Sequence, residues 1–191
     1  MKKKTFLMLL ALVLVFGLAV GGTIAYLTAS TENVVNTFTV GDINIELKEH
    51  TIDDTGALTT TETNGIDTYK IIPGTNLNKD PFLRVKANSE ACWVFVKITE
   101  TNWSSKLTYT VDGWTALGND YPGVYYKEQA ATTADVALNI LTNKQIVVSA
   151  DLTKTEIEAM KTNIPKLTFT GYAVQKENVA TAAAAWAILN P

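Results

Sequence analysis

The stretch Cys92–Thr99, which reads CWVFVKIT, decides the fold of this 191-residue chain. Successive side chains of a β-strand point to opposite faces, so residues of equal parity share a face. The even-numbered residues from Cys92 to Ile98 are all apolar, and the other face begins with Trp93 and Phe95. Because both faces begin apolar, we predict a central strand that is covered on both sides.

Short alternating segments recur on both sides of this stretch, separated by turn dipeptides such as Pro73-Gly74 and Asp112-Gly113. Residues 50–68 are rich in Thr, Asp, Asn and Gly and predict a long surface loop or a loose hairpin. The roughly even spacing predicts an all-β fold, a sandwich or a barrel. The candidate strands are Phe38–Leu47, Tyr69–Ile72, Phe82–Ala87, Cys92–Thr99, Leu107–Val111, Val124–Lys127, Gln145–Ala150 and Lys166–Val174.

Two short helices interrupt the strand pattern. Thr153 followed three residues later by Glu156 is a capping box, which marks the start of a helix. The run Ala180–Leu189 is alanine-rich, and alanine is the strongest helix former. The expected helices are peripheral to the sheets.

Residues 1–25 have the organisation of a secretory signal peptide. Three lysines, Lys2 to Lys4, precede the apolar run Phe6–Val20, and small residues follow. The run is shorter than the ~20 residues that span a bilayer, which disfavours a retained anchor. We predict cleavage between Ala25 and Tyr26. The chain would then contact the membrane only through the uncleaved signal, and the product would be secreted to the extracellular matrix or cell surface. The predicted domains are 1–25 signal peptide, 26–40 N-terminal segment and 41–191 β-sandwich domain.

The inventory of reactive side chains excludes several classes of function. The chain has one His and one Cys, too few for the usual zinc sites or for an internal disulfide. Arg84 is the only arginine, and the chain without its signal has 13 basic and 19 acidic residues, a charge of 13 − 19 = −6. A nucleic-acid-binding surface is therefore not expected.

Several blocks of sequence together resemble the TasA/camelysin family of Gram-positive bacteria, whose members are exported through a signal peptidase of the SipW type. The blocks Gly22–Thr28, Asn36–Ile43 and Thr170–Gln175 are the more specific ones. The blocks are Gly22–Thr28, Asn36–Ile43 with Leu47 and Glu49, Pro73-Gly74 with Lys79-Asp80-Pro81, Cys92–Lys97, Thr170–Gln175 and Ala185-Trp186. The resemblance covers nearly the whole chain.

The resemblance implies a jelly-roll-like antiparallel β-sandwich and a secreted subunit of extracellular filaments in a biofilm matrix. It implies self-assembly by donor-strand exchange, in which the N-terminal segment of one subunit completes a sheet of the next. The anchors of that segment would be Val34, Val35, Phe38 and Val40. From the residues alone, the segment is equally a free tail that leads into the subunit's own first strand. Implied partners are copies of the chain, the SipW-type peptidase and other matrix proteins or polysaccharide.

Catalytic alternatives find little support in the residues. Camelysins carry a metallopeptidase label, but a zincin needs a His-Glu-x-x-His motif, and this chain has only His50, in a polar segment that predicts a solvated loop residue. Cys92 lies in an apolar strand pattern, which is typical of an inert core cysteine. We predict a protein that is not an enzyme and needs no cofactor.

Two binding alternatives remain open. Carboxylates at Asp42, Glu46, Glu49, Asp53 and Asp54 are oxygen ligands of the kind that suits Ca²⁺, although their spacing matches no known loop. Aromatic residues near predicted strands and turns make a cell-surface carbohydrate-binding or adhesion module the runner-up function. These aromatic residues are Trp93, Trp103, Trp114, Tyr121, Tyr125 and Tyr126. Trp93 is expected in the core, and Trp114 is expected to plug a loop.

Overall fold

A computed structural model describes residues 42–64 and 68–189, together with Lys3. The chain divides into two compact units, Met1–Thr39 and Val40–Pro191, and the fold described below belongs to the second. The predicted cleavage site at Ala25 and Tyr26 lies outside the described residues, as do the four predicted strand anchors Val34, Val35, Phe38 and Val40. No helix within the described residues is long and apolar enough to cross a membrane.

Antiparallel strands dominate the described residues. In chain order the strands are β1 (Ile45–Ile52), β2 (Leu58–Thr63), β3 (Asn76–Asn78), β4 (Pro81–Val85), β5 (Cys92–Thr101), β6 (Leu107–Thr108), β7 (Thr115–Ala116), β8 (Val124–Gln129), β9 (Val136–Asn139), β10 (Gln145–Val148) and β11 (Lys166–Gln175). Two four-stranded sheets, one of order β2-β1-β4-β9 and one of order β11-β5-β8-β7, face each other, and a third sheet has three strands in the order β3-β10-β6.

The chain passes from one sheet to the other between β4 and β5 and again between β8 and β9. Such crossings, in which neighbours in sequence belong to opposite sheets, characterise jelly-roll-like sandwiches. Two short helices, α1 (Lys154–Thr162) and α2 (Ala182–Leu189), complete the unit. The prediction of an all-β, jelly-roll-like antiparallel sandwich with short helices is confirmed.

Strand β5 is central and is buried on both faces, as its alternation predicts. It pairs with β11 on one side and with β8 on the other. Its even-numbered face joins the core between the sheets, where it packs in one cluster with Leu83 and Ile140. On the outer face, the ring of Phe95 lies 5.2 Å from that of Trp186 on α2. Helix α2 therefore acts as a cover for the outer face of this sheet.

Helix α1 begins at the predicted position, and α2 lies within the predicted run Ala180–Leu189. Thr153 Oγ1 accepts a hydrogen bond from the backbone N–H of Glu156 at 3.3 Å, and the Glu156 carboxylate accepts one from the N–H of Thr153 at 2.7 Å. These two bonds form the predicted capping box. Hydrogen bonds from Thr153 lower the pKa of Glu156, and the bond from the backbone N–H has a larger effect than the bond from the hydroxyl.

The predicted strand at Tyr69–Ile72 is wrong. The Pro73-Gly74 turn that follows it is present, with a hydrogen bond of 3.3 Å from Thr75 N to Ile72 O and with Gly74 at a φ of 76°. The alternation reflects packing instead, because Ile71 contacts the core while Ile72 is exposed. A segment can alternate without pairing when it crosses a gap between strands, and sequence periodicity does not distinguish the two cases.

Helix α2 provides a test of the cover on β5. Replacing the buried Trp186, which is 3% exposed, by Ala removes the contacts with Phe95 and Tyr172. We expect the free energy of unfolding to fall by about 3–5 kcal/mol, the usual cost of a large cavity. The measurement is urea unfolding followed by far-UV circular dichroism.

The matched control is Ile188→Ala on the same helix, at a residue that is 62% exposed. This change is expected to shift the free energy of unfolding by no more than about 0.5 kcal/mol. Equal losses for the two variants would contradict the role of α2 as a cover for β5.

Candidate functional site: an open strand edge beside a buried charge cluster

Strand β11 forms one edge of its sheet over ten residues, Lys166–Gln175. Among the described strands it pairs only with β5, in unbroken register from Lys166 opposite Thr101 to Gln175 opposite Cys92. An edge strand of this length presents a row of backbone groups that can pair with another chain.

One hydrogen bond fixes which backbone groups of β11 point away from β5. Lys176 N donates to Ala91 O at 2.8 Å in continuation of the ladder. In an antiparallel pair hydrogen-bonded positions alternate, so even-numbered residues of β11 bond to β5. The outward-pointing groups belong to Leu167, Phe169, Gly171, Ala173 and Gln175.

The opposite side of β5 gives the same result independently. Ile98 N donates to Gly123 O at 2.8 Å, next to the ladder with β8. Even-numbered residues of β5 therefore bond to β8, and its odd-numbered residues are left for β11. Both ladders therefore indicate that the odd-numbered residues of β11 point their backbone groups away from β5.

The open edge lacks most of the usual protection against pairing. Natural proteins blunt edge strands with proline, with charge or by keeping the strand short. Between its terminal residues Lys166 and Gln175, β11 contains neither a charged residue nor a proline. At Gly171 a Cβ atom would lie 2.6 Å from Leu83 Cδ1, so a larger residue here would require the Leu83 side chain to shift.

A buried ion pair lies next to the inner face of β11. Lys79 Nζ donates to both carboxylate oxygens of Glu49, at 2.8 and 2.9 Å, and the two residues are 8% and 9% exposed. Tyr69 donates its hydroxyl to Glu49 Oε1 at 3.1 Å. The ring centroids of Tyr69 and Phe169 lie 5.2 and 5.7 Å from Lys79 Nζ, so the ammonium is held between a carboxylate and two aromatic rings.

A second charge cluster surrounds Asp80, which is 2% exposed. Its Oδ2 lies 2.6 Å from His50 Nδ1 and 2.9 Å from Lys144 Nζ. The expectation that His50 is a solvated loop residue is therefore wrong. His50 belongs to β1 and also packs its ring 5.0 Å from that of Phe82. A buried carboxylate needs such partners, because an unpaired charge in the interior is very costly.

The structure does not gather the five acidic candidates for calcium. Glu49 pairs inside the sandwich with Lys79, while Glu46 lies 3.6 Å from Arg84. Asp53 closes the turn after β1, where hydrogen bonds from the Thr55 hydroxyl and then from the Ala57 backbone lower its pKa. The other two candidates, Asp42 and Asp54, are exposed.

No group of three or more His, Cys, Asp or Glu side chains within residues 42–64 and 68–189 is placed to hold a metal ion. Cys92, the single cysteine, is fully buried in β5, and burial raises the pKa of its thiol to about 11. The thiol is therefore protonated at neutral pH, which is the unreactive form.

The aromatic candidates separate into groups with different surroundings. Trp93 and Tyr126 pack in the outer cluster beneath α2, and Tyr121 is exposed in a turn. The other three, Trp103, Trp114 and Tyr125, line an open groove together with Tyr109. Trp114 is buried and donates its indole N–H to Asn139 O at 2.7 Å, in agreement with the predicted loop plug. Sequence reasoning missed Tyr109 because its alternating segment predicts only a strand.

The same reasoning missed Lys79 and Asp80 as partners of Glu49 and His50. Their one local signal is the placement of two adjacent charges immediately before the apolar strand β4. Each contact joins positions that are 30 apart in the chain. Only the tertiary fold brings such positions together.

Comparison of the chain with protein-family models, with curated proteins and with solved structures gives no match.

The buried pair gives the second prediction. We expect Lys79→Met to lower the free energy of unfolding by about 3–5 kcal/mol, because it leaves the Glu49 carboxylate buried without its counter-charge. Adding Glu49→Gln to this variant should recover much of the loss, since the carboxylate is then absent. Chemical denaturation of the single and double variants measures both effects.

A matched control breaks an exposed pair of equal length. Lys161 Nζ lies 2.7 Å from Glu158 Oε1 on α1, and the lysine side chain is well exposed. We expect Lys161→Met to cost less than about 1 kcal/mol. If the double variant were no more stable than Lys79→Met alone, an unpaired carboxylate would not be the source of the loss.

Proposed function

We propose that this chain is a secreted, non-enzymatic subunit of extracellular filaments in a bacterial biofilm matrix, which assembles by donation of its N-terminal segment to a neighbouring subunit. The observation that carries the proposal is the ten-residue outer edge of β11, with which no other described strand pairs. The TasA/camelysin resemblance in the sequence supplies the biological setting and the signal-peptidase partner.

The open edge fits an acceptor for an added strand. In β-augmentation, main-chain hydrogen bonds to an exposed edge give affinity, and alternate side chains give specificity. Side chains of Leu167 and Phe169 belong to the core between the sheets. A strand added next to β11 would extend that apolar face. Of the candidate anchors, Val34, Phe38 and Val40 have equal parity and so would all point to one face.

The path of the chain is compatible with donation to another copy. Backbone oxygens of Asp42 and Asn44 accept hydrogen bonds from Glu90 and Lys86, at 3.0 and 2.9 Å. Residues 42–44 therefore lie beside the β4–β5 connection, and Lys176 at the end of β11 bonds to Ala91 in the same connection. Asp42 thus lies at the end of the sandwich where β11 finishes. Contacts between an edge and a segment elsewhere on the molecule are heterologous and propagate as open filaments.

The chemistry of the described residues supports a non-enzymatic role over a metallopeptidase. A catalytic zinc site takes three protein ligands and an open position. His50 instead shares Asp80 with Lys144, and the described residues offer no cluster of three metal ligands. Cys92 is buried with a raised pKa, so it does not supply an alternative nucleophile.

The donor segment is tested by its removal. We expect a chain that begins at Asn36, without residues 26–35, to remain a folded monomer but to form no filaments, because the donated strand loses most of its length. Circular dichroism reports folding, size-exclusion chromatography reports the monomer, and negative-stain electron microscopy reports filaments. Filaments of unchanged number and appearance would contradict donation by this segment.

The acceptor edge is tested by a single proline. Ala173 points its N–H away from β5, so Ala173→Pro removes a donor from the open edge and leaves the β5 ladder intact. We expect this variant to fold but to form filaments at least about tenfold more slowly, since its ring also blocks an approaching strand. The rate is followed by light scattering and checked by electron microscopy.

The matched control is Ala137→Pro on β9, an edge strand of the opposite sheet. Ile140 N donates to Pro81 O at 3.1 Å, so by the same alternation Ala137 also points its N–H away from β4. We expect this control to form filaments at the rate of the unmodified protein. Equal rates for Ala173→Pro and the unmodified protein would mean that β11 is not the acceptor.

A further inference from the structure

An open groove of about 590 Å³ lies between the end of β5, the segment that contains β6, and strands β7 and β8. Its volume is within the range of small-molecule sites, about 300–1,000 Å³. None of its lining residues belongs to β11. The lining residues are Glu100, Trp103, Ser104, Ser105, Leu107, Thr108, Tyr109, Thr110, Val111, Trp114, Ala116 and Tyr125.

The aromatic rings of the groove are held in place by hydrogen bonds from their own polar atoms. Trp103 donates its indole N–H to Leu107 O at 3.0 Å, and its ring meets that of Tyr109 edge to face, with centroids 6.0 Å apart. Tyr109 donates its hydroxyl to Glu100 Oε1 at 2.8 Å. Because these polar atoms are satisfied within the protein, the rings offer a ligand their apolar surfaces in a fixed arrangement, which lowers the cost of binding.

Three hydroxyl-bearing residues are also among those that line the groove. The side chains of these residues, Ser105, Thr108 and Thr110, make no hydrogen bond to other residues in the described part of the chain. Each hydroxyl can donate one hydrogen bond and accept two. The groove therefore combines fixed apolar surfaces with hydroxyls that are available to a ligand.

Charge at the groove disfavours an anionic ligand. Glu100 is the one charged residue among the described residues that line it, and its carboxylate would repel an anion. A quaternary ammonium would make no hydrogen bond to the hydroxyls of Thr108 and Thr110, whereas the hydroxyls of a saccharide would. The combination favours a neutral ligand with both apolar faces and many hydroxyls.

We propose that this groove binds a neutral oligosaccharide, whose pyranose rings pack their C–H faces on Trp103, Tyr109 and Tyr125 and whose hydroxyls bond to Thr108 and Thr110. The groove and the β11 edge have no residue in common, so a subunit can bind saccharide whether or not it is assembled. This inference therefore stands independently of filament assembly.

The test titrates the purified protein with four neutral tetrasaccharides, cellotetraose, maltotetraose, mannotetraose and chitotetraose, by isothermal calorimetry. We expect at least one to bind. Thr110→Val and Tyr125→Leu should each weaken that binding by about tenfold or more, because the first removes a hydroxyl and the second an aromatic face. Circular dichroism confirms that both variants fold.

The matched control is Thr60→Val, at another exposed threonine on β2 in the opposite sheet. This control should bind as tightly as the unmodified protein. Binding of none of the four sugars, or binding that the two groove variants leave unchanged, would overturn the proposal. Loss of sugar binding in the control Thr60→Val would also overturn it, as would binding of choline in preference to all four sugars.

The same titration with Ala173→Pro separates this proposal from filament assembly. We expect this variant to bind the sugar with the affinity of the unmodified protein, because Ala173 lies outside the groove. Loss of sugar binding in the groove variants with normal filaments would support the groove alone. Loss of filaments in Ala173→Pro with normal sugar binding would support the acceptor edge alone.

Discussion

Strand β5 is covered on both faces, and the rest of the domain is arranged around that constraint. Its even-numbered side chains fill the core between the two large sheets, and Trp93 and Phe95 lie beneath α2. A strand buried on both faces must have a neighbour on each side, since every buried backbone group needs a hydrogen-bond partner. Strands β8 and β11 supply these neighbours and carry the sheet outward. The outer side of β11 is the edge of this sheet, where no further described strand pairs.

The buried charges lie next to this edge, and their placement has a physical consequence. The ammonium of Lys79 lies over the ring of Phe169 on β11 and also pairs with the Glu49 carboxylate. Inward-pointing charge next to an edge is one of the means by which proteins limit unspecific strand pairing.

The edge and the groove give the domain two surfaces of different chemistry. The edge offers backbone groups beside apolar side chains, which recognise an extended polypeptide. The groove combines fixed aromatic rings with hydroxyl-bearing residues, the chemistry to which we assign a neutral polyhydroxylated ligand. The residues of the two surfaces do not overlap, so use of one surface would leave the residues of the other available.

The local pattern of the chain determined the elements, and the fold determined the contacts. Alternation at Cys92–Thr99 predicted the central strand, and Thr153 with Glu156 predicted the start of α1, because both signals depend on residues only a few positions apart. The same locality explains the error at Tyr69–Ile72, where alternation reflects packing without pairing. The contact of Lys144 with Asp80 joins residues 64 positions apart, and no local pattern contains it. Which strand is left at an edge, and which rings meet in a groove, depend on how the sheets close, and only the tertiary structure decides that.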